Sequence, residues 1–211
     1  MNITIYKVNN KANEEQYGVY DENQLIKGTV WLSDNFSVAD LTHKLIIKPK
    51  AVREIFDFIE WDIGQRHDLR VEQGGILVGK RFIDEKQGIH YVIVTKAITA
   101  DDATGSTGYL DITHECWSVM HDKKDKYNRE TGESSVIIGW FHTHPNMLSC
   151  FMSGTDRHTQ SLFFDGDNTY SIVFNPQRHL LKAFRSKECL ATQAFLMLDA
   201  TCCTRSEYGL D

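Results

Sequence analysis

The chain has 211 residues, a mass of 24.2 kDa and a formal net charge of −6 at pH 7. Its length favours a single domain, and a hydrophobic content of 41% is enough for a packed core, which excludes a disordered chain. The acidic balance argues against nucleic-acid or anionic-membrane partners.

The sequence also indicates a compartment. No apolar run approaches the roughly 20 residues that a membrane span needs, and the first residues lack the charged start and apolar stretch of a signal peptide. The 5 cysteines include no Cys-x-x-Cys pair, so neither a disulfide framework nor a cysteine zinc site is indicated. We therefore expect a cytoplasmic protein.

The first 47 residues contain short strand-like runs at residues 3–8, 27–32 and 44–47 and carry no recognisable chemistry. We therefore predict a β-rich N-terminal extension of unknown role over residues 1–47, which offers a surface for a protein partner. A second unit would then occupy residues 48–211.

That second unit begins with an amphipathic helix. Pro49 stands where a first helical turn accepts proline, and apolar residues follow at helical spacing, which predicts a helix over residues 49–66. Further on, the pattern predicts strands at 76–79, 90–99, 135–141, 170–174 and 180–186, a flexible loop at 101–108, and helices from 114 to 127 and from 153 towards 164. Residues 189–198 are ambiguous between strand and helix. Helices interleaved with strands predict an α/β or α+β fold, with a central mixed β-sheet flanked by helices.

The sequence around two histidines carries the clearest chemistry. His142 and His144 are spaced i, i+2 at the end of a strand, so their side chains point to one face. Asp156 follows twelve residues after His144 and can return as a third ligand. Two imidazoles and a carboxylate, with an open fourth position, are the ligand set of a catalytic zinc.

A second interpretation of the same residues needs no metal. Ser153 and Asp156 form a Ser-x-x-Asp pattern, which is typical of a capping box at a helix start. In that case Asp156 contacts backbone amides and the two histidines are merely buried.

Several spaced elements together resemble the JAMM (MPN+, JAB domain) family of zinc metalloproteases, which includes deubiquitinase-like isopeptidases. The matching pieces are Glu72-Gln-Gly-Gly, His142-Thr-His144-Pro and Ser153-Gly-Thr-Asp156. Eight residues separate His144 from Ser153, one more than the family pattern has, and an extra loop residue costs little when both ends are anchored.

The resemblance implies a fold and a role for each residue. The fold would be the MPN/JAB sandwich, which is cytidine-deaminase-like. His142, His144 and Asp156 would hold one zinc ion, with water in the fourth position. Glu72 would take the proton of that water and pass it to the departing amine, and Ser153 would donate a hydrogen bond to the oxyanion.

The resemblance also implies a reaction. Its expected substrate is the bond after the C-terminus of ubiquitin or a ubiquitin-like protein, with residues 101–108 as a flap over the extended tail. One alternative is a maturation peptidase for a ubiquitin-fold sulfur carrier. Another is a non-catalytic MPN-type scaffold subunit that binds through residues 1–47. From the short chain we expect a compact, prokaryotic-type, stand-alone member of the family and not a subunit of a large protease.

Other reactive side chains have weaker claims. His114 and His121 are spaced wrongly for a His-Glu-x-x-His zinc site. His158 lies two residues after Asp156 and could contact that metal ligand without binding the metal itself. Cys150 is expected to be a buried loop thiol and not a nucleophile, and the Cys202-Cys203 pair is expected to be buried as well.

Overall fold

The computed structural model describes residues 42–61, 70–84 and 86–198, and the backbone of two short strands at 18–19 and 29–32. The described strands are β1 (Gly18–Val19), β2 (Thr29–Leu32), β3 (His43–Ile47), β4 (Gly74–Asp84), β5 (Ile89–Thr99), β6 (Thr104–Gly105), β7 (Leu110–Asp111), β8 (Val136–Thr143), β9 (Tyr170–Asn175), β10 (Leu180–Arg185), β11 (Leu190–Thr192) and β12 (Ala194–Leu198). The described helices are α1 (Pro49–Phe58), α2 (His114–Thr131) and α3 (Gly154–Phe163).

One mixed sheet dominates the fold. Its strand order is β11-β10-β9-β8-β4-β5-β3-β12-β2, and β1 pairs with β4 beside this path. Only Gln193 separates β11 from β12, although β11 begins this strand order and β12 stands near its other end. The sheet must therefore curl until those two strands meet. The mixed sheet with helices packed on it confirms the predicted α/β fold class.

Helix α1 packs on one face of the sheet because its apolar side chains line one stripe. Ala51, Val52, Ile55 and Phe56 are all buried, and burial of each large side chain contributes about 1.5–3 kcal/mol. They belong to the largest core cluster, which also takes in Leu77 of β4.

Helix α2 packs on the opposite face. Cys116 and Met120 contact a cluster that includes Ile76 and Val78, the two β4 residues that flank Leu77. Successive residues of a strand point to opposite faces, so β4 is buried on both sides at this point. The first residues of β4 lie at the candidate site, where Gly74 pairs with His142. None of the described helices combines the length and apolar composition that crossing a membrane requires.

Several predicted elements differ from the structure. The predicted helix over 49–66 is too long, since α1 ends at Phe58 and Glu60 has a left-handed φ of 53°. Residues 62–69 lie outside the described part. The strand predicted at 76–79 extends over all of β4, and the ambiguous residues 189–198 form β11 and β12.

The predicted flexible loop at 101–108 also has more structure than its composition indicated. Residues 104–105 pair antiparallel with residues 110–111, so β6 and β7 form a small hairpin. The other predicted strands and helices are present with shifted ends, apart from the run at 3–8, which lies outside the described residues.

The division of the chain at residue 48 stays a prediction. In the structure, β3 lies between β5 and β12 in the main sheet, and β2 pairs with β12. These strands before residue 48 thus share their backbone hydrogen bonds with strands of the later unit.

Candidate metal centre

The centre of the candidate site is a pair of histidines at the end of β8. The Nε2 atoms of His142 and His144 lie 3.3 Å apart, and both side chains are buried. The spacing of two residues directs both rings to the same face of the sheet. The indole of Trp140 stacks on the ring of His142, with centroids 4.3 Å apart, and thereby holds the plane of that imidazole.

The third member of the site comes from the first turn of α3. The Oδ1 atom of Asp156 lies 3.4 Å from Nε2 of His142, and its Oδ2 atom lies 3.3 Å from Nε2 of His144. Among the described residues, these three form the group whose ligand atoms converge closely enough to bind one metal ion.

The capping box predicted at this helix start is present as well. The backbone N–H of Ser153 donates to Oδ2 of Asp156 at 2.7 Å, and the N–H of Asp156 donates to Oγ of Ser153 at 3.2 Å. A carboxylate offers about four lone-pair sites, so capping leaves room for a metal. The Ser153 hydroxyl accepts one hydrogen bond here and keeps its own proton to donate elsewhere. The two interpretations of Ser-x-x-Asp are therefore compatible.

The separations of the ligand atoms are short enough for one metal ion. The Nε2 atoms of His142 and His144 stand 3.3 Å apart, close to the roughly 3.3–3.4 Å between neighbouring ligand atoms in a tetrahedron with bonds of about 2.0–2.1 Å. The contacts of Asp156, at 3.4 and 3.3 Å, come from different oxygen atoms of its carboxylate, and one ligand atom from each of the three residues lies within 4.8 Å of the other two. Two nitrogens and one carboxylate oxygen are also a donor set that zinc accepts. This group can therefore hold a metal ion.

The ring of His144 is oriented by the loop that follows it. Its Nδ1 atom donates to the carbonyl oxygen of Ser149 at 2.9 Å, because a carbonyl can only accept. In the neutral form of His144, which metal binding requires, this bond keeps the proton on Nδ1 and leaves the lone pair of Nε2 for the metal. Nδ1 of His142 is buried without a hydrogen-bond partner among the described residues.

The pKa values of the three residues depend on one another. Burial opposes ionisation of Asp156, but hydrogen bonds from His142, His144 and Ser153 outweigh it and hold the pKa of this carboxyl well below its usual range. Burial lowers the pKa of His142. Burial acts in the same direction on His144, but hydrogen bonds to Asp156 and to the Ser149 carbonyl outweigh it and raise the pKa of this imidazole. Asp156 is therefore ionised and His142 neutral near pH 7, which are the forms that bind a cation, and His144 releases a proton when it binds one.

Glu72 lies just before β4, opposite His144. In the antiparallel pairing of β4 and β8, Gly74 faces His142. Glu72, two residues before Gly74, and His144, two residues after His142, are therefore directed to the same face. A Cβ atom at Gly74 would come within 2.6 Å of the Phe141 carbonyl oxygen and 3.3 Å of Cβ of His142. A glycine at this position therefore allows β4 to approach β8 and the side chain of Leu110 closely beside His142.

The carboxyl group of Glu72 has an unusual environment. Its residue is only 3% exposed, and burial raises the pKa of the carboxyl to about 7. The charge of His144 opposes this rise in pKa and the charge of Asp156 adds to it. A carboxyl group whose pKa lies near neutral pH can both accept and release a proton.

The backbone of Glu72 is held by the β6–β7 hairpin. Its N–H donates to the carbonyl of Ser106 at 2.7 Å. A side chain at Gly105 would collide with the carbonyl oxygen of Glu72, so a glycine is required for this close approach. The hairpin thus lies against the segment that carries Glu72.

Four exposed apolar side chains belong to the segments that flank this buried polar centre in the chain or contact it. They are Val71, Tyr109, Met147 and Phe151, with relative exposures of 48%, 53%, 83% and 45%. The ring of Phe151 contacts His144 edge-on, with centroids 4.9 Å apart. We define these four side chains as the apolar rim.

Other reactive residues lie elsewhere. The side chain of His158 is exposed, and Cys150 is buried with its Sγ 3.5 Å from the carbonyl oxygen of Leu180. Cys116 and Cys189 are buried as well, and neither forms a disulfide bond within the described part of the chain. The Cys202-Cys203 pair lies outside the described residues.

Sequence reasoning missed the residues that support the site from loops. Ser149 acts through its carbonyl oxygen, which has no side-chain signature. Asn146 bonds to the chain near Glu72, and the only local signal for it is a Pro-Asn turn after the second histidine.

Comparison with known proteins agrees with the motif. A family model described as JAB1/Mov34/MPN/PAD-1 ubiquitin protease matches residues 41–167. The chain is also similar to the 26S proteasome non-ATPase regulatory subunit 14 of Caenorhabditis elegans, with 35% identity over 49 residues, or 23% of this chain and 15% of that protein. Against the same subunit of Drosophila melanogaster it is 26% identical over 98 residues, or 46% of this chain and 29% of that protein.

The aligned segments therefore span less than a third of either relative. The family model covers more than half of the chain, and the matched range includes Glu72, both histidines and Asp156. The resemblance inferred from the motif is confirmed, and the chain belongs to the JAB1/Mov34/MPN/PAD-1 ubiquitin protease family.

Proposed function

We propose that this protein is a zinc-dependent isopeptidase that hydrolyses the bond after the C-terminus of ubiquitin or a ubiquitin-like protein. The observation that carries the proposal is the convergence of ligand atoms from His142, His144 and Asp156 to within 4.8 Å of one another. The buried carboxyl group of Glu72 lies close enough to feel the charges of His144 and Asp156. A structural zinc site has four protein ligands, whereas this group supplies three and leaves one position open.

The residues divide the chemistry between them. When bound, zinc lowers the pKa of a coordinated water to about 7. The Glu72 carboxylate accepts the proton of the attacking water and later passes it to the departing amine. The Ser153 hydroxyl donates a hydrogen bond to the oxygen of the scissile carbonyl as negative charge develops there.

The surroundings of the site support an extended protein tail as substrate. A glycine-rich tail has no side chains to collide with a buried centre, and its backbone can bond to neighbouring strands. The apolar rim offers contacts for the larger side chains upstream of such a tail. The β6–β7 hairpin, which lies over the Glu72 segment, is the part of the chain that we expect to contact the tail, as the flap role predicted for 101–108 requires.

A substrate trap tests the proposal. Glu72→Gln should bind zinc and substrate without turning the substrate over, so we would use it to capture proteins from the lysate of the native host and identify them by mass spectrometry. His142→Ala is the matched control, because it lacks a ligand for the metal at the same site. A set of conjugates that share one small Gly-tailed protein, enriched over both wild type and His142→Ala, is the expected result.

Other results of the same capture would replace the proposal. A single unconjugated carrier or precursor would identify a maturation peptidase for a ubiquitin-fold sulfur carrier. A complex captured equally by wild type, Glu72→Gln and His142→Ala would show a scaffold subunit, since binding would then be independent of the metal centre.

A further inference from the structure

The segment that carries Glu72 is held by a residue, Asn146, that is not part of the family motif. Regular pairing between β4 and β8 ends near Gly74 and His142. Beyond that point, the Oδ1 atom of Asn146 accepts the backbone N–H of Arg70 at 3.0 Å, and its Nδ2 atom donates to the carbonyl oxygen of Arg70 at 3.1 Å. A side-chain amide thus continues the hydrogen bonding that a paired strand would otherwise supply.

All the hydrogen-bonding groups of Asn146 are engaged. Its backbone N–H donates to the side-chain oxygen of Gln177, and its carbonyl oxygen accepts from Nδ2 of Asn175 at 3.1 Å. The side chain of Asn175 also donates to the carbonyl of Leu148 at 2.7 Å. The loop after the second histidine is therefore fixed to the β9–β10 turn on one side and to the Glu72 segment on the other.

The backbone conformation of Asn146 suits this role. Its φ is 62°, in the left-handed region where asparagine is one of the favoured non-glycine residues. Leu148 N–H donates to the carbonyl of Pro145 at 3.3 Å, which closes a tight turn around Asn146. This turn lies within the loop that is one residue longer than the family pattern, and it directs the amide towards Arg70.

We propose that Asn146 is a positioning residue that clamps the Glu72 segment against the loop that follows His144. The Ser106 carbonyl of the β6–β7 hairpin accepts the N–H of Glu72, and Asn146 binds the backbone of the same segment at Arg70. The role rests on the proposed function for its effect on turnover, but the clamp itself is a property of the fold. A displacement of about 1 Å in a catalytic group can cost up to 10²-fold in rate.

The test compares Asn146→Gly with a matched variant. Glycine tolerates the left-handed φ, so Asn146→Gly removes the amide without backbone strain. Asn128 makes the same kind of reciprocal pair with Ser135, at 3.1 and 2.8 Å, between α2 and the start of β8. Asn128→Ala therefore removes an equivalent pair of hydrogen bonds at the far end of the β4–β8 pair from Glu72.

Two measurements would be made on the full chain. The first is hydrogen–deuterium exchange of the peptide covering residues 70–76, which reports the clamp whether or not the protein is an enzyme. The second is turnover, with bound zinc measured in parallel. For Asn146→Gly we expect exchange about tenfold faster and kcat about tenfold lower, with KM and zinc content unchanged. Asn128→Ala should match the wild type in all of these.

The outcomes separate the clamp from the proposed function. Unchanged exchange in Asn146→Gly overturns the clamp, and faster exchange with unchanged kcat overturns the positioning role. If the wild type has no peptidase activity, the proposed function fails while exchange still decides the clamp. Asn146→Asp keeps an acceptor for Arg70 N–H but loses the donor, so intermediate exchange from that variant would support the assignment if the glycine variant does not fold.

Discussion

Two of the three proposed metal ligands lie on regular secondary structure and the third directly follows a strand, whereas Glu72 lies on an irregular segment between residue 70 and the start of β4. His142 is on β8, His144 follows its last residue, and Asp156 occupies the first turn of α3, oriented by its own capping box. Glu72 depends on contacts from distant loops, including Asn146, which is 76 residues away from the Arg70 backbone it holds.

This difference has a physical consequence. The ligand side depends mainly on interactions that are close in sequence. They are the strand β8, the capping box of α3 and the bond of His144 to Ser149. The Glu72 side is assembled only when the hairpin and the loop after His144 are both in place. We therefore expect metal binding and proton transfer to respond separately to substitution, and the variants below test that separation.

The largest effect is expected on the ligand side. His142→Ala removes one of three convergent ligand atoms, so the protein should lose stoichiometric zinc and show a greater loss of turnover than any other variant here. Metal analysis and a cleavage assay measure this, with circular dichroism to verify folding. His158→Ala, which removes an exposed histidine near Asp156, is the control and should retain both. A His142→Ala protein with full zinc content would exclude His142 as a ligand.

The next effect is expected on the Glu72 side. Glu72→Gln keeps the shape of the side chain but cannot accept a proton, so turnover should fall by about 10²–10⁴. Zinc content should stay at the wild-type level, because Glu72 is not among the three convergent ligands. Steady-state kinetics and metal analysis decide the result, with exposed Glu115→Gln as a control. Retained turnover in Glu72→Gln would reject the proton-carrier role.

The smallest of these effects is expected at Ser153, which caps α3 next to Asp156. Ser153→Ala removes both the helix cap and the proposed oxyanion donor. Loss of the cap should reduce the free energy of unfolding by about 1 kcal/mol, and loss of the donor should lower kcat by about 10²-fold. Ser153→Thr keeps a hydroxyl and should recover part of both. If kcat of Ser153→Ala equals that of the wild type, the hydroxyl acts only as a cap.

The ligand side could be predicted from the sequence because its signals are local. Alternation along a strand relates His142 to His144, and the Ser-x-x-Asp pattern places Asp156 in a first helical turn. The candidate role of Glu72 came from the family resemblance and not from its own surroundings. Its supports at Ser106 and Asn146 depend on loop conformations that no short pattern encodes.

The fold shows the same division. The helices and most strands follow from apolar periodicity, whereas the position of β3 between β5 and β12 depends on long-range pairing. The short connection through Gln193, which forces the sheet to curl, was hidden in the ambiguous residues 189–198. The end of α1 was missed because apolar residues continue past Phe58 with helical spacing.

The most direct test of the account is a titration of zinc into metal-free protein, followed by calorimetry or a competing chelator. The convergent ligand atoms predict one zinc ion per chain with a Kd below about 1 μM, and much weaker binding by Asp156→Asn, which keeps the side-chain shape but loses the charge. Absence of zinc binding by the folded wild type, or equal binding by Asp156→Asn, would contradict a metal centre formed by His142, His144 and Asp156.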